Sequence, residues 1–147
     1  MLDGVVPRTK LPHVLRQVYA TCERHGFPVA NVFHAGDGNL HPNLLFDERV
    51  PGATARVLEA GAEIMRLCVD AGGSITGEHG VGYEKRSFME WIFSPQDIEA
   101  MAKVKAAFGA NELYNPCKLF PTGKGCGEVS QANIERLMAK IGPDAYI

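Results

Sequence analysis

The sequence predicts an α+β fold, and three observations carry that expectation. Residues 11–25 and 53–71 place apolar side chains at helical spacing. Between them, residues 28–46 alternate as two strands around a glycine-rich turn. Short strand-like stretches at 5–6 and 74–76 flank the two helices. In chain order this is βαββαβ, a ferredoxin-like antiparallel sheet with helices on one face, followed by C-terminal helices.

Each element has a local cause. Val5 and Val6 before Pro7 end a short strand. Leu11, Val14, Leu15, Val18 and Cys22 line one stripe of the first helix, and Gly26 is placed to end it. Pro51-Gly52 breaks the chain before the second helix, whose stripe is Val57, Gly61, Ile64, Cys68 and Ala71. Gly72-Gly73 stops that helix, and Ser74-Ile75-Thr76 makes the closing strand. Tyr83 to Phe93 reads as helical, with Phe88, Trp91 and Ile92 available for packing. Ser94-Pro95-Gln96-Asp97 is a helix start, with Ser as N-cap, Pro at the first position and an acid in the first turn. That helix runs to about Phe108. Residues 115–121 read as irregular, 122–127 as a polar glycine-rich link, and 131–141 as a last amphipathic helix.

The hairpin holds the main functional signal. Two glycines within Gly36-Asp37-Gly38 disfavour a helix, and Asp37-Gly38 suits a two-residue type I′ turn. With that pair at the tip, Gly36 faces Asn39, Ala35 faces Leu40, and His34 faces His41. Phe33, Ala35, Leu40, Leu44 and Phe46 then share the core side, and Val32, His34, His41, Asn43 and Leu45 the other. The two imidazoles stand side by side with Asn43 near them. Glu78, between Gly77 and Gly80 in a loop those glycines allow to approach closely, is the best third partner. Two neutral imidazoles and one carboxylate suit a divalent metal that keeps positions open for substrate. The same residues read equally as ordinary polar groups on a solvated sheet face.

His79 could act as a general base, or be a plain loop imidazole. Both it and Glu78 reach one site only if the loop turns sharply between them. Arg8 and Lys10 could hold an anion or simply be solvated. His13 and His25 lie in or at the end of the first helix with no polar cluster nearby and are set aside. Gly36-Asp37-Gly38 lacks the following helix and Lys-Ser/Thr of a phosphate loop, and no G-x-G-x-x-G opens a helix, so nucleotide folds of those kinds are excluded.

Composition narrows the classes further. A chain of 147 residues can bury a core, and 15 basic against 17 acidic side chains give no basic excess for nucleic acid. No apolar stretch is long enough to span a bilayer, and the N-terminal residues lack the pattern of a secretory signal. Cys22, Cys68, Cys117 and Cys126 form no C-x-x-C pair and read as reduced thiols of a cytoplasmic protein.

Three stretches together resemble a known family: His34-Ala-Gly-Asp-Gly-Asn-Leu-His-Pro-Asn43, Gly73-Ser-Ile-Thr-Gly-Glu-His-Gly-Val-Gly82, and Asn115-Pro-x-Lys-x-Phe-Pro121. They resemble the C-terminal domain of the FAD-linked oxidases, a family that includes glycolate oxidase subunits and D-lactate and D-2-hydroxyglutarate dehydrogenases. Val6-Pro7-Arg8-Thr9-x-Leu11-Pro12 extends the resemblance toward the start. Cys117 departs from the glycine usual at its position. The resemblance implies a C-terminal fragment of a flavin-dependent D-2-hydroxy acid oxidoreductase of glycolate or D-lactate type, inactive alone. Residues 1–114 would be cap or substrate domain, and 115–147 a segment returning to an FAD-binding domain that lies ahead of this chain and is missing from it.

Position by position, the resemblance implies His34, His41 and Glu78 as ligands of a divalent metal, zinc in many members. It implies His79 as catalytic base, Asn43 near substrate, and Asn115 near the FAD. Some of the basic groups that hold the substrate carboxylate would lie upstream, leaving Arg8 as this chain's candidate. The implied partners are a small 2-hydroxy acid, the FAD-binding domain and other oxidase subunits. A stand-alone mononuclear metalloenzyme and a non-catalytic subunit-docking module remain the alternatives.

Overall fold

The computed structural model describes residues 1–108, 114, 115 and 118–121. The expected Gly-rich link, the 131–141 helix, Cys117 and Cys126 lie outside them. Two compact units divide the chain at Gly82/Tyr83.

The first unit is α+β. Its elements are β1 (Gly4–Val5), a 3-10 turn at Arg8–Lys10, α1 (Leu11–His25), β2 (Val29–His34), β3 (Asn39–Leu44) and α2 (Ala53–Asp70). The strands form one antiparallel sheet in the order β1-β3-β2. The expected strand at 74–76 is reduced to a single antiparallel bridge between Ser74 and Val5. That bridge sits on the free edge of β1, where the last strand of a ferredoxin-like sheet belongs. The reason is backbone contact: a Cβ on Gly73 would overlap the Val5 carbonyl, and the next polar groups turn away to bond Asp3.

The helices begin and end on local signals. α1 terminates at Gly26 in the left-handed region, φ 74°. Its buried side chains include Leu11, Val14, Val18 and Cys22 of the expected stripe, with Thr21 buried in addition and Leu15 only half-buried. α2 buries Ala53, Ala60, Gly61, Ile64, Met65 and Cys68. A Cβ on Gly4 would lie 2.8 Å from Cys68 Sγ and 2.9 Å from Met65 Cε, so β1 runs directly against α2. Cys22 and Cys68 are both buried.

Gly4, Leu40 and Phe33 share the face toward the helices, but the expectation that Phe33 is core is corrected. Leu40 on central β3 is 1% exposed, while Phe33 on edge strand β2 is 43% exposed. Phe46, also expected inside, is likewise 43% exposed and meets Phe27 edge-on at 6.3 Å. An edge strand has neighbours on one side only, so the same alternation buries less.

The setting-aside of His25 for lack of polar neighbours is also corrected. Glu63 on α2 accepts from both terminal nitrogens of Arg24 and lies 3.1 Å from His25 Nε2. The Arg24 hydrogen bonds hold the Glu63 carboxyl below the usual carboxylate range. A depressed folded-state value contributes stability above the unfolded value, and that contribution disappears as pH falls through the folded one. The melting temperature of wild type should therefore exceed that of Glu63→Gln at pH 7 by a few degrees at most, given the exposure of the pair. The gap should begin to shrink near about pH 4, where the unfolded carboxyl protonates, and close as pH falls through the lower folded-state value. An equal gap at pH 7 and pH 3 would remove the ionic explanation.

The second unit contains a 3-10 helix at Arg86–Trp91 and α3 (Pro95–Phe108). A regular helix over 83–93 is not formed: residues 82–85 are turns. Phe88 stacks on Trp91 at 4.3 Å, using the i, i+3 alignment that a 3-10 helix provides. The start of α3 is as expected. Ser94 Oγ receives the Asp97 N–H at 3.3 Å, and Asp97 accepts from the Ser94 N–H at 2.9 Å. Asn115 has φ 46° and its carbonyl accepts from Lys105 Nζ at 3.0 Å, an irregular turn as expected. Among the described residues no helix is long and apolar enough to cross a membrane.

Candidate functional site

β2 and β3 pair as Val32↔His41, Phe33↔Leu40 and His34↔Asn39. The expected two-residue turn with His34 opposite His41 is therefore corrected to a four-residue loop, Ala35–Gly38. The N–H groups of Asp37 and Gly38 both donate to the His34 carbonyl at 3.0 Å. The cause lies outside the hairpin. Val6 N–H donates to the Gly38 carbonyl, so residue 38 is held by the chain following β1. Because the register moves by two, every side chain keeps its face. His34 and His41 become diagonal neighbours, with ring centroids 5.5 Å apart and planes at 85°.

β1 sets the third side of the site. It pairs Gly4 with Leu40 and Val5 with Asn39, and Leu2 N–H donates to the Pro42 carbonyl at 3.1 Å. That register puts Asp3 beside His41 on the face away from the helices. His41 is 4% exposed. Its Nδ1 lies 3.2 Å from the Leu2 carbonyl, which can only accept, so Nδ1 carries a proton, and in the neutral ring Nε2 presents a lone pair. Nε2 is buried and makes no hydrogen bond among the described residues, although Glu78 Oε1 is 3.2 Å away. The distance is short, but the direction is not that of a hydrogen bond.

Glu78 gathers the cluster. Its Oε1 is 3.2 Å from His41 Nε2, 3.6 Å from His79 Nε2 and 3.8 Å from His34 Nε2. His79 stacks on His41 at 5.0 Å with the planes 22° apart. The sharp turn needed to bring Glu78 and His79 to one place is present. The N–H groups of Gly77, Glu78 and His79 all point at the Asp3 carboxylate, at 3.1–3.2 Å, and Thr76 Oγ1 donates to it at 2.8 Å. Gly77 is required there, since a Cβ would stand 2.6 Å from Asn39 Oδ1.

Asp3, 1% exposed, is the residue that sequence reasoning missed. Its partners are 73 to 76 positions away, so no spacing could reveal it. The only signal is an acid at the start of an apolar strand. Asn39 was passed over too: it is 4% exposed, with Oδ1 buried and unbonded among the described residues.

The other expected residues are placed as follows. Asn43 lies two positions beyond His41 on the same face, and its Nδ2 donates to the carbonyls of Ala30 and His41. With the nitrogen so used, Asn43 has Oδ1, an acceptor, to offer. Arg8 is exposed in the 3-10 turn, its backbone close to Gly38, and forms no ion pair among the described residues. Asn115 is exposed and belongs to the second unit.

The ligand set fits a divalent cation. One atom each from His34, His41 and Glu78 lie within 4.8 Å of one another. Ligands about 2.1 Å from a tetrahedral ion are about 3.4 Å apart, and the 3.2 and 3.8 Å separations to Glu78 bracket that value. His41 also has the outer hydrogen bond, Nδ1–H to a backbone carbonyl, that orients metal-binding imidazoles. A second trio, Asp3, His41 and His79, is equally compact. It suits a cation poorly, because both Asp3 oxygens are already taken by hydrogen-bond donors.

Residues 1–119 match the family model described as FAD linked oxidases, C-terminal domain. The chain is 46% identical over 133 residues to the glycolate oxidase subunit GlcD of Escherichia coli, covering 90% of this chain and 27% of that protein. It is 37% identical over 118 residues to the D-2-hydroxyglutarate dehydrogenase of Stutzerimonas stutzeri, covering 76% and 25%. With the D-lactate dehydrogenase of Archaeoglobus fulgidus it shares 34% identity over 119 residues, covering 81% and 26%. The chain thus spans about a quarter of the length of these curated relatives.

Proposed function

This chain belongs to the family of FAD-linked oxidase C-terminal domains, and from that membership we propose that it serves a flavin-dependent oxidation of a small D-2-hydroxy acid. Its part is a divalent-metal site at His34, His41 and Glu78, with zinc the first candidate, and a proton acceptor at His79. The relatives that carry those activities by name support the substrate class. The observation that carries the metal assignment is the buried Nε2 of His41, unbonded among the described residues, facing the Glu78 carboxylate at 3.2 Å. With the ring neutral, a lone pair and a carboxylate oxygen in contact repel, and a cation held between them turns that repulsion into ligation.

Bound FAD would supply the two-electron acceptor, and a bound divalent cation the positive charge against which a hydroxyl gives up its proton more readily. The remaining work falls to side chains of the chain itself. His79, fixed by its stacking on His41 and by its N–H on Asp3, presents Nε2 to take the hydroxyl proton. Asn43 offers Oδ1 to a donor on the substrate. Arg8, exposed and without an ion-pair partner among the described residues, is available to a carboxylate. On this reading residues 1–114 act as substrate domain and 115–147, beginning at Asn115, return toward the flavin-binding part of the protein.

Equilibrium dialysis of the chain against zinc, manganese and cobalt, followed by elemental analysis, tests the metal site. One equivalent should be retained by wild type and lost from His41→Ala, with circular dichroism confirming that the variant is folded. Equal retention by the two proteins, or retention of none of the three metals by wild type, would defeat the assignment.

A further inference from the structure

We propose that Asp3 is a positioning residue whose carboxylate anchors the 77–79 loop and so delivers Glu78 and His79 to the two hairpin histidines. This rests on the metal reading of those residues. Asp3 is 1% exposed, yet it lies outside the set of groups that would hold metal or take a proton. Oδ1 accepts from the N–H groups of Gly77 and Glu78, and Oδ2 from Thr76 Oγ1 and the N–H groups of Gly77 and His79. Three successive backbone N–H groups converging on one carboxylate leave the loop little freedom, because each bond constrains a different peptide plane. The far end of the anchor is equally firm. Asp3 directly precedes β1, whose pairing with β3 sets it beside His41. The loop is therefore referenced to His41 through one cross-strand pair rather than through the long path around α2.

The chemistry of the anchor is specific to a carboxylate. An asparagine in its place has one acceptor oxygen, and its NH2 would face N–H donors whichever way the amide turned. The loop also packs against Asn39, whose side chain leaves no room for a Cβ on Gly77. Loss of the anchor should thus free the loop without opening the core made by α1, α2 and Leu40.

The test uses the 147-residue chain with cobalt as the probe, read by its visible absorption, and amide hydrogen exchange at Gly77, Glu78 and His79. Asp3→Asn should keep the helical circular dichroism, lose protection at the three amides, lose the nuclear Overhauser contact between the His41 and His79 rings, and bind cobalt about 10- to 100-fold more weakly. Affinity within threefold of wild type, with the ring contact kept, overturns the proposal. If wild type takes up no zinc, manganese or cobalt, the metal reading fails, and whenever cobalt itself is not bound Asp3 is judged on the ring contact and the amides alone. Their survival in Asp3→Asn then overturns its role, and their loss supports it. Should Asp3→Asn not fold, Gly77→Ala carries the test, since its Cβ displaces the same loop toward release. Weakened cobalt binding with deprotected Glu78 and His79 amides supports the anchor, and unchanged cobalt affinity overturns it.

Discussion

If the chain serves the proposed flavin-dependent oxidation, Glu78→Gln in the active oxidase should lose metal and activity together, whereas His79→Asn should keep the metal and lose turnover. Glu78 Oε1 is the atom within 4 Å of all three imidazole Nε2 atoms, and it brings the only charge in the His34–His41–Glu78 set. Replacing it with a neutral amide leaves the His41 lone pair without a charged co-ligand, so metal affinity should fall at least about tenfold. His79 lies 3.6 Å from the same oxygen and stacks on His41 rather than completing the trio. Its removal should slow kcat about 10²–10⁴-fold, the usual cost of losing a general base, with little change in KM. Metal analysis beside steady-state kinetics separates the two. A His79→Asn protein as metal-depleted as Glu78→Gln would make His79 a ligand and leave the base unassigned.

Gly38→Ala should destabilise the chain by about 2–5 kcal/mol and weaken metal binding at the same time. Gly38 has φ 73°, which costs an L residue about 1–2 kcal/mol, and its Cβ would enter the Val6 carbonyl oxygen. Relief of that overlap adds about 1–3 kcal/mol of packing strain. Backing off also breaks the Val6 N–H bond to the Gly38 carbonyl, which holds the hairpin loop on the chain after β1 and sets where His34 ends. Urea unfolding measures the first effect and cobalt titration the second. A variant within about 0.5 kcal/mol of wild type would show that the loop has another conformation open to it, and that the register of His34 is not set there.

The helices and their ends were legible because their causes are local. α1 spans Leu11–His25 with Gly26 left-handed, and Ser94 and Asp97 cap α3 reciprocally, as nearby residues dictate. The grouping of His34, His41 and Glu78 was legible for a subtler reason. Strand alternation preserves face under a shift of two, so the histidines stayed neighbours although the turn was read two residues too tight. The family membership, too, stood in the three motif stretches.

What the tertiary structure alone decided are the features whose partners lie far along the chain. Val6, more than 30 positions before Gly38, claims its carbonyl and turns a two-residue tip into a four-residue loop. Asp3, more than 70 positions from the loop it holds, gives no periodic signal, and its function exists only once β1 lies beside β3. Burial of Leu40 against exposure of Phe33 depended on which strand became the edge. Local propensity and alternation act through neighbours in sequence, and sheet order and backbone anchoring act through neighbours in space, so the first could be read from the residues and the second required the fold.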